Sequence, residues 1–398
     1  MKFDYETYMK KINYEKYTKE IEGIKDNLIT DSMTDWYNIE KCITKEELKE
    51  IKKTAEFIRK NCDVFLVIGI GGSFLGAKSV IEALTNYFEK TKPEIIFVGT
   101  SLSSDYLYEL HNYIKDKEVI INLISKSGST LEPNLAFEYL MDKIEKKYSK
   151  EELSKRVVIT TDRYESKLLD LASEKGYRTF NVPNQIGGRY SILTPVGLLP
   201  IAVAGIDIDK ILNGARKCDK DEAIKYAIIR NELYSQGYYI ESFTIYEEKM
   251  IYFTEWLKQL FAETQGKDNK GILPISVLNT RDLHSLGQYY QEGKRIIFET
   301  VINIINENKN IQTNYGKSLN DINNIACYSV AKAHYKGGLY SNIIELDELN
   351  EETIGYLIYF FELSAAIGGY LLHVNPFDQP GVSEYKLIMM EAINNEFF

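Results

Sequence analysis

The sequence has little of what marks the special classes of protein. Its four cysteines, Cys42, Cys62, Cys218 and Cys327, are scattered over 398 residues. No C-x-x-C pair or metal-ligand spacing joins them, which argues against a disulfide scaffold and fits reduced thiols. Low-complexity tracts and Pro/Ser-rich linkers are absent, so disorder and collagen-like repetition drop out. The opening stretch MKFDYETYMKK is charged throughout and has no apolar core of the kind a secretory signal needs. There is no excess of basic charge either: 48 Lys and Arg stand against 58 Asp and Glu, a net charge of −10. That balance disfavours a dedicated nucleic-acid binder. Long hydrophobic runs reduce to one, residues 353–374, broken by Glu362 and several glycines. It reads as a buried core helix, not a membrane span.

What is present is ordinary for a globular protein, at 44% hydrophobic and 27% charged residues. At roughly 150 residues per domain the length corresponds to about 2.7 domains. Residues 1–60 are charged and helical in pattern, an arm expected to pack onto the main body. From Val64 the pattern changes to strands alternating with helices. Apolar runs at 64–70, 95–100, 119–125, 156–161 and 177–183 predict five strands, with helices at 77–89, 104–114, 131–147 and 166–175 between and after them. That alternation predicts a parallel sheet covered on both faces. A second series follows residue 207. It has strands at 241–246, 272–279, 295–302 and 341–346, and helices at 221–236, 249–263, 282–291, 319–335, 351–373 and 381–394. The α/β pattern thus occurs twice, without a detectable sequence repeat.

Two loops have the chemistry of an anion site. Gly69-Ile70-Gly71-Gly72-Ser73 links the first strand to a helix, where glycines admit close approach and helix N–H groups point outward. The dinucleotide fingerprint G-x-G-x-x-G fails at Phe74, and the second strand ends in Gly99-Thr100-Ser101 instead of an acidic residue. A P-loop is missing as well, so NAD and ATP are disfavoured. The third strand ends in Ser125-Lys126-Ser127-Gly128-Ser129-Thr130, a run of hydroxyls before a helix. In a sheet ordered 2-1-3-4-5, strands one and three are neighbours and their C-terminal loops meet at the topological switch point. Together the loops predict a phosphorylated small molecule as ligand.

The acid-base candidates are few. Glu263 ends an apolar-faced helix and precedes Thr264-Gln265-Gly266, a placement suited to a general base. Among four histidines, His284 falls near the expected start of the 282–291 helix, where an imidazole can exchange protons. His111, His334 and His373 have no comparable setting and read as packing or surface residues. Arg189 follows Gly187-Gly188, exposed enough to reach a ligand. A rigid segment, Asn375-Pro376-Phe377-Asp378-Gln379-Pro380-Gly381, leads into a last helix carrying Lys386.

Six segments in order, VIGIGGSFLGAK (67–78), SKSGSTLEP (125–133), GGRYSILTPVGLLP (187–200), FAETQGKD (261–268), DLHSLGQYYQEG (282–293) and NPFDQPGVSEYK (375–386), resemble the glucose-6-phosphate isomerase family in its short bacterial form. The resemblance covers roughly residues 60–390. It implies an α/β fold of two sugar-isomerase (SIS) αβα sandwich domains with mainly parallel sheets plus the N-terminal helical arm. The divisions would be 1–60 for the arm, 61–205 and 206–374 for the two domains, and 375–398 for a loop and helix closing the site. It implies that Gly72, Ser73, Ser125, Lys126, Ser127 and Thr130 hold a sugar phosphate, with Glu132, Gly188 and Gln379 lining the sugar. Glu263 would shuttle a proton through a cis-enediol, Arg189 would stabilise its charge, and Lys386 and His284 would assist ring opening. The family resemblance also implies a cytoplasmic homodimer in which His284 reaches the partner's site, with no metal, organic cofactor, nucleic acid or membrane involved. A non-catalytic sugar-phosphate sensor and an isomerase preferring mannose 6-phosphate are the competing readings. Thr264-Gln265 departs from the Ser-Glu or Ser-Asn that many relatives carry, and the chain is shorter than usual bacterial members.

Overall fold

The computed structural model describes residues 1–89, 91–164 and 166–394. Among the described residues, ten strands form two sheets: β1 (Lys2–Asp4), β2 (Val64–Ile68), β3 (Glu94–Val98), β4 (Val119–Ile124), β5 (Val157–Thr161), β6 (Arg178–Asn181), β7 (Ile240–Ile245), β8 (Leu273–Leu278), β9 (Ile297–Ile304) and β10 (Ser341–Leu346). The first sheet is ordered β3-β2-β4-β5-β6 and is parallel throughout. This is the 2-1-3-4-5 order expected from the sequence. Every residue of β2, β4 and β5 is buried, as continuous apolar strands in a two-sided parallel sheet must be. Ile68 of β2 lies beside Leu123 of β4, so the two hydroxyl- and glycine-bearing loops leave from adjacent strand ends.

The second sheet is ordered β1-β10-β9-β7-β8. Its four later strands are parallel, while β1 runs antiparallel to β10 with Phe3 opposite Ile344. This corrects the reading of the 1–60 arm as wholly helical. Three residues carry too little periodicity to announce a strand, and the exposed edge of β10 recruits them through backbone hydrogen bonds. The remaining regular structure of the arm is helical, including Lys45–Asn61, which opens with a reciprocal cap between Thr44 and Glu47.

Three helices lay outside the sequence reading: Lys150–Arg156, Pro195–Val203 and Ile208–Arg216. Pro195–Val203 is buried on every side, so its sequence shows no amphipathic period. Thr194 caps it and Pro195 takes the first helical position, where a missing N–H costs nothing. The helix expected at 282–291 is a 3-10 turn, Arg281–His284, and a separate helix, Gly287–Glu292. Asp282 accepts the Leu278 N–H at 2.8 Å and pairs with Arg281, which tightens the turn against the end of β8.

Glu351–Leu371 is long and apolar enough to cross a membrane by length and composition. Here it lies in the core, packed against Ile208–Arg216 and Lys220–Ser235. The first of those crossings is backbone to backbone. A Cβ on Gly355 would meet the Ile211 carbonyl oxygen at 1.9 Å, and one on Gly214 would meet that of Glu352 at 2.0 Å.

Candidate active site

The site grows from the C-terminal end of the Ile251–Gln265 helix, whose buried face holds Phe253, Trp256, Leu257, Leu260 and Phe261. Burying that stripe aims the last turn at the cleft and leaves the Glu263 side chain 29% exposed. Three donors converge on its carboxylate. Gln259, one turn earlier, donates to Oε1 at 3.0 Å. Gln379 donates to Oε2 at 2.5 Å and Arg189 Nη1 to the same oxygen at 3.4 Å. Gln259 escaped the sequence reading; its spacing of four residues before Glu263 was the available signal, because i and i+4 share a helix face.

Contrary to the exposure expected after two glycines, Arg189 is 1% exposed and almost fully committed, because the Thr264 hydroxyl and the 375–381 carbonyls enclose its guanidinium. Nε donates to Thr264 Oγ1 at 2.9 Å, and Nη2 donates to the carbonyls of Pro376 and Asp378. Nη1 is left with Glu263 and one further N–H. Trp256 Nε1 holds the Arg189 carbonyl at 3.2 Å, and Tyr190 shares a 3.1 Å hydroxyl bond with Thr264. Burial against Trp36 pushes the Tyr190 phenol up to about 12, so it stays protonated.

The 375–381 segment is therefore fastened by Arg189, and a second time by Lys267. The Lys267 ammonium pairs with Asp378 at 2.7 Å and also binds the Asn375 carbonyl. Burial draws the Lys267 ammonium below its ordinary range, and Asp378 opposes that shift. Gln379, at the end of this segment, reaches Glu263 because the segment is held at both points.

The glycine loop joins the same assembly. Gly71 has φ +57°, in the left-handed region, and a Cβ there would sit 3.0 Å from Gln259 Nε2. A Cβ on Gly72 would lie 2.1 Å from the Gly188 carbonyl oxygen, so the glycine loop and the Arg189 turn touch backbone to backbone. Ser73 closes the Gly71–Ser73 turn.

The serine loop sits at the neighbouring strand end. Ser125 Oγ accepts the Gly128 N–H at 3.2 Å, and Ser127 and Ser129 share a hydroxyl bond of 2.8 Å. Thr130 precedes the Leu131–Ile144 helix without spending its hydroxyl on the cap. Glu132 is in that helix's first turn. Lys126 bends away to donate to the carbonyls of Asn184 at 2.8 Å and Ile186 at 3.3 Å, tying this loop to the turn after β6 that leads into Gly187-Gly188-Arg189. Its half-burial lowers the ammonium from its ordinary value, partly offset by Asp162.

Among the described residues, His284 and Lys386 make no hydrogen bond to the Glu263 cluster. His284 ends the 3-10 turn after β8 and is exposed. Lys386 lies in the first turn of the Ser383–Asn394 helix, no residue of which is buried; residues 395–398 of the expected closing segment lie outside the described residues. His334, by contrast, is buried and bonded to Glu299 at 2.8 Å, a packing role.

Comparisons with known proteins give the chain's family and fold. A family model described as phosphoglucose isomerase matches residues 45–272. Glucose-6-phosphate isomerase of Staphylococcus haemolyticus is 46% identical over 386 aligned positions, covering 91% of this chain and 87% of that protein. A hypothetical protein of Thermus thermophilus superposes with a TM-score of 0.85 at 25% identity, over 95% of this chain and 96% of its own. A glucose-6-phosphate isomerase from Chlamydia trachomatis shares the fold with a TM-score of 0.79 at 22% identity, over 89% and 74% of the two chains. On its sequence and on its two-sheet α/β architecture, this chain belongs to the phosphoglucose isomerase family.

Proposed function

We propose that the chain interconverts glucose 6-phosphate and fructose 6-phosphate, with Glu263 as the base. The observation that carries this reading is the carboxylate of Glu263 held by Gln259, Gln379 and a buried Arg189 beside two anion-suited loops. Ser73, Ser125, Ser127 and Thr130 hold the phosphate with the loop N–H groups, Gly72 permits its close approach, and Lys126 fixes the loop's position. Gly188, Glu132 and Gln379 line the sugar.

The chemistry is a proton transfer. With the ring open, Glu263 takes the proton from C2; the C1–C2 double bond forms and the carbonyl electrons move to O1. The spare Nη1 proton of Arg189 meets that developing negative charge, as an oxyanion-hole donor does. The O2 proton passes to O1 as the C2 carbonyl forms, and Glu263 returns its proton to C1. Neither step calls on a metal or an organic cofactor.

His284 and Lys386 assist ring opening, and His284 does so in the site of a second copy. The exposure of His284 after β8 leaves it accessible to a second copy, which is consistent with a homodimer with shared sites. The division into an arm at 1–60, domains at 61–205 and 206–374 and a closing segment at 375–398 goes with this reading, supported by the two separate sheets. A cytoplasmic setting fits the scattered thiols.

A dye-coupled assay on purified protein with glucose 6-phosphate is the direct test. Glu263→Gln is expected to abolish turnover and to leave sugar-phosphate binding nearly unchanged by calorimetry; retained turnover removes Glu263 as the base. Equal or faster turnover of mannose 6-phosphate would change the substrate.

A further inference from the structure

Two residues past Glu263 lies a side chain that no substrate can reach. Gln265 is fully buried; its Nε2 donates to the Ala365 carbonyl at 3.0 Å and its Oε1 accepts from Arg230 Nη1 at 2.7 Å. There is no slack around it, since a Cβ on Gly368 would lie 2.3 Å from Gln265 Nε2. Arg230 is 1% exposed, and its Nε donates to Glu241 Oε2 at 2.7 Å. Glu241, on β7, accepts from Thr300 of β9 at 2.7 Å and from the Tyr226 hydroxyl. The Arg230 guanidinium also lies 3.9 Å from the centroid of Phe261.

Phe261 and Gln265 are the positions two before and two after Glu263. At about 100° per residue they project from the side of the helix opposite Glu263. Arg230 thus grips the back of the turn whose front carries the carboxylate. This is the C-terminal turn, whose last carbonyls have no partner within the helix and which would otherwise fray. A buried ion pair is a poor source of net stability, because desolvation offsets most of its attraction; fixing one geometry is the better-attested use.

We infer that Arg230, Glu241 and Gln265 are positioning residues for Glu263, transmitting the rigidity of the second sheet to the base. The inference rests on the proposed role of Glu263. Displacing a catalytic group by about 1 Å costs on the order of 100-fold in rate.

The test is Gln265→Met, which keeps the volume and removes both hydrogen bonds. We expect kcat for glucose 6-phosphate to fall about 10- to 100-fold with KM changed less than about twofold. A loosened base also exchanges its proton with solvent before returning it. Product formed in D2O should therefore carry more deuterium at C1 per turnover than the wild-type product, a partition that loss of folded protein cannot alter. Gln265→Glu, which keeps the acceptor for Arg230 but loses the donor to the Ala365 carbonyl, should recover part of both quantities. Thr300→Val, remote from the helix, should shift both in the same direction and decides the matter if Gln265→Met does not fold. Wild-type kcat and deuterium content in the folded variant overturn the inference. An active Glu263→Gln instead removes the reading beneath it, so the two failures are distinct.

Discussion

Arg189 shows how one side chain can organise a site. Its guanidinium spans Thr264, the 375–381 segment and Glu263, which requires a planar fork of donors. A lysine offers a single ammonium and cannot make those contacts together. Arg189→Lys should therefore lower kcat about 100- to 1,000-fold in the coupled assay, the range for losing an oxyanion donor. Glu362 is the opposite kind of residue, buried in the middle of the long core helix with Oε1 unpartnered. Burial raises its carboxyl well above the ordinary 4.5, so the folded protein keeps it protonated while the unfolded chain releases the proton. Its contribution is complete below about pH 4.5 and is lost as pH rises towards the folded value, at about 1.4 kcal/mol per pH unit. Urea melts at pH 5, 6 and 7 should show this decline for the wild type, and Glu362→Gln should flatten it. Equal slopes for the two proteins would contradict the assignment. The buried setting of Glu362 was legible as an interrupted apolar run, but its unpartnered oxygen was not.

At the scale of elements, glycines divide by what surrounds them. Gly214 and Gly355 let two helices cross in backbone contact, so Gly355→Ala must push the helices apart. It should cost about 1–3 kcal/mol, the range for overpacking, measured by urea denaturation. Gly23, within Thr18–Thr30, meets nothing within 4 Å. Gly23→Ala should stabilise by up to about 1 kcal/mol, through helix propensity alone. Sequence reading treats these glycines alike, because nothing local distinguishes a crowded one from an open one. It also found the central strands β2, β4 and β5, whose apolar runs are long enough to stand out, and it missed β1 and Pro195–Val203. Those two depend on a sheet edge and on enclosure from every side, and neither leaves a period in the chain.

Over the whole molecule, the Glu263 cluster is drawn from four separated stretches, and among the described residues His284 and Lys386 make no hydrogen bond to it. If a second copy supplies His284, mixing two inactive variants should restore activity. Refolding Glu263→Gln together with His284→Ala yields heterodimers in which one of two sites has both intact residues. About a quarter of the wild-type activity is expected from random pairing. No recovery above the separate variants would place His284 in its own chain's site or outside the site altogether. The same preparations should run as dimers by light scattering.

The kind of fold and most of the candidate site residues are legible in the order of residues alone. Continuous apolar strands between amphipathic helices can be buried only in a covered parallel sheet, and hydroxyl and glycine loops at such strand ends suit a phosphate. Glu263, Arg189 and Gln379 were identifiable as residues, but what holds them was not. Gln259 on Glu263, the two carbonyls gripped by Arg189, Lys126 turned to Asn184 and Ile186, and the Arg230–Gln265 bond behind the base all join residues distant in sequence or ordinary in type. Hydrogen bonds act over about 3 Å, and chain order carries no record of which groups folding will bring that close.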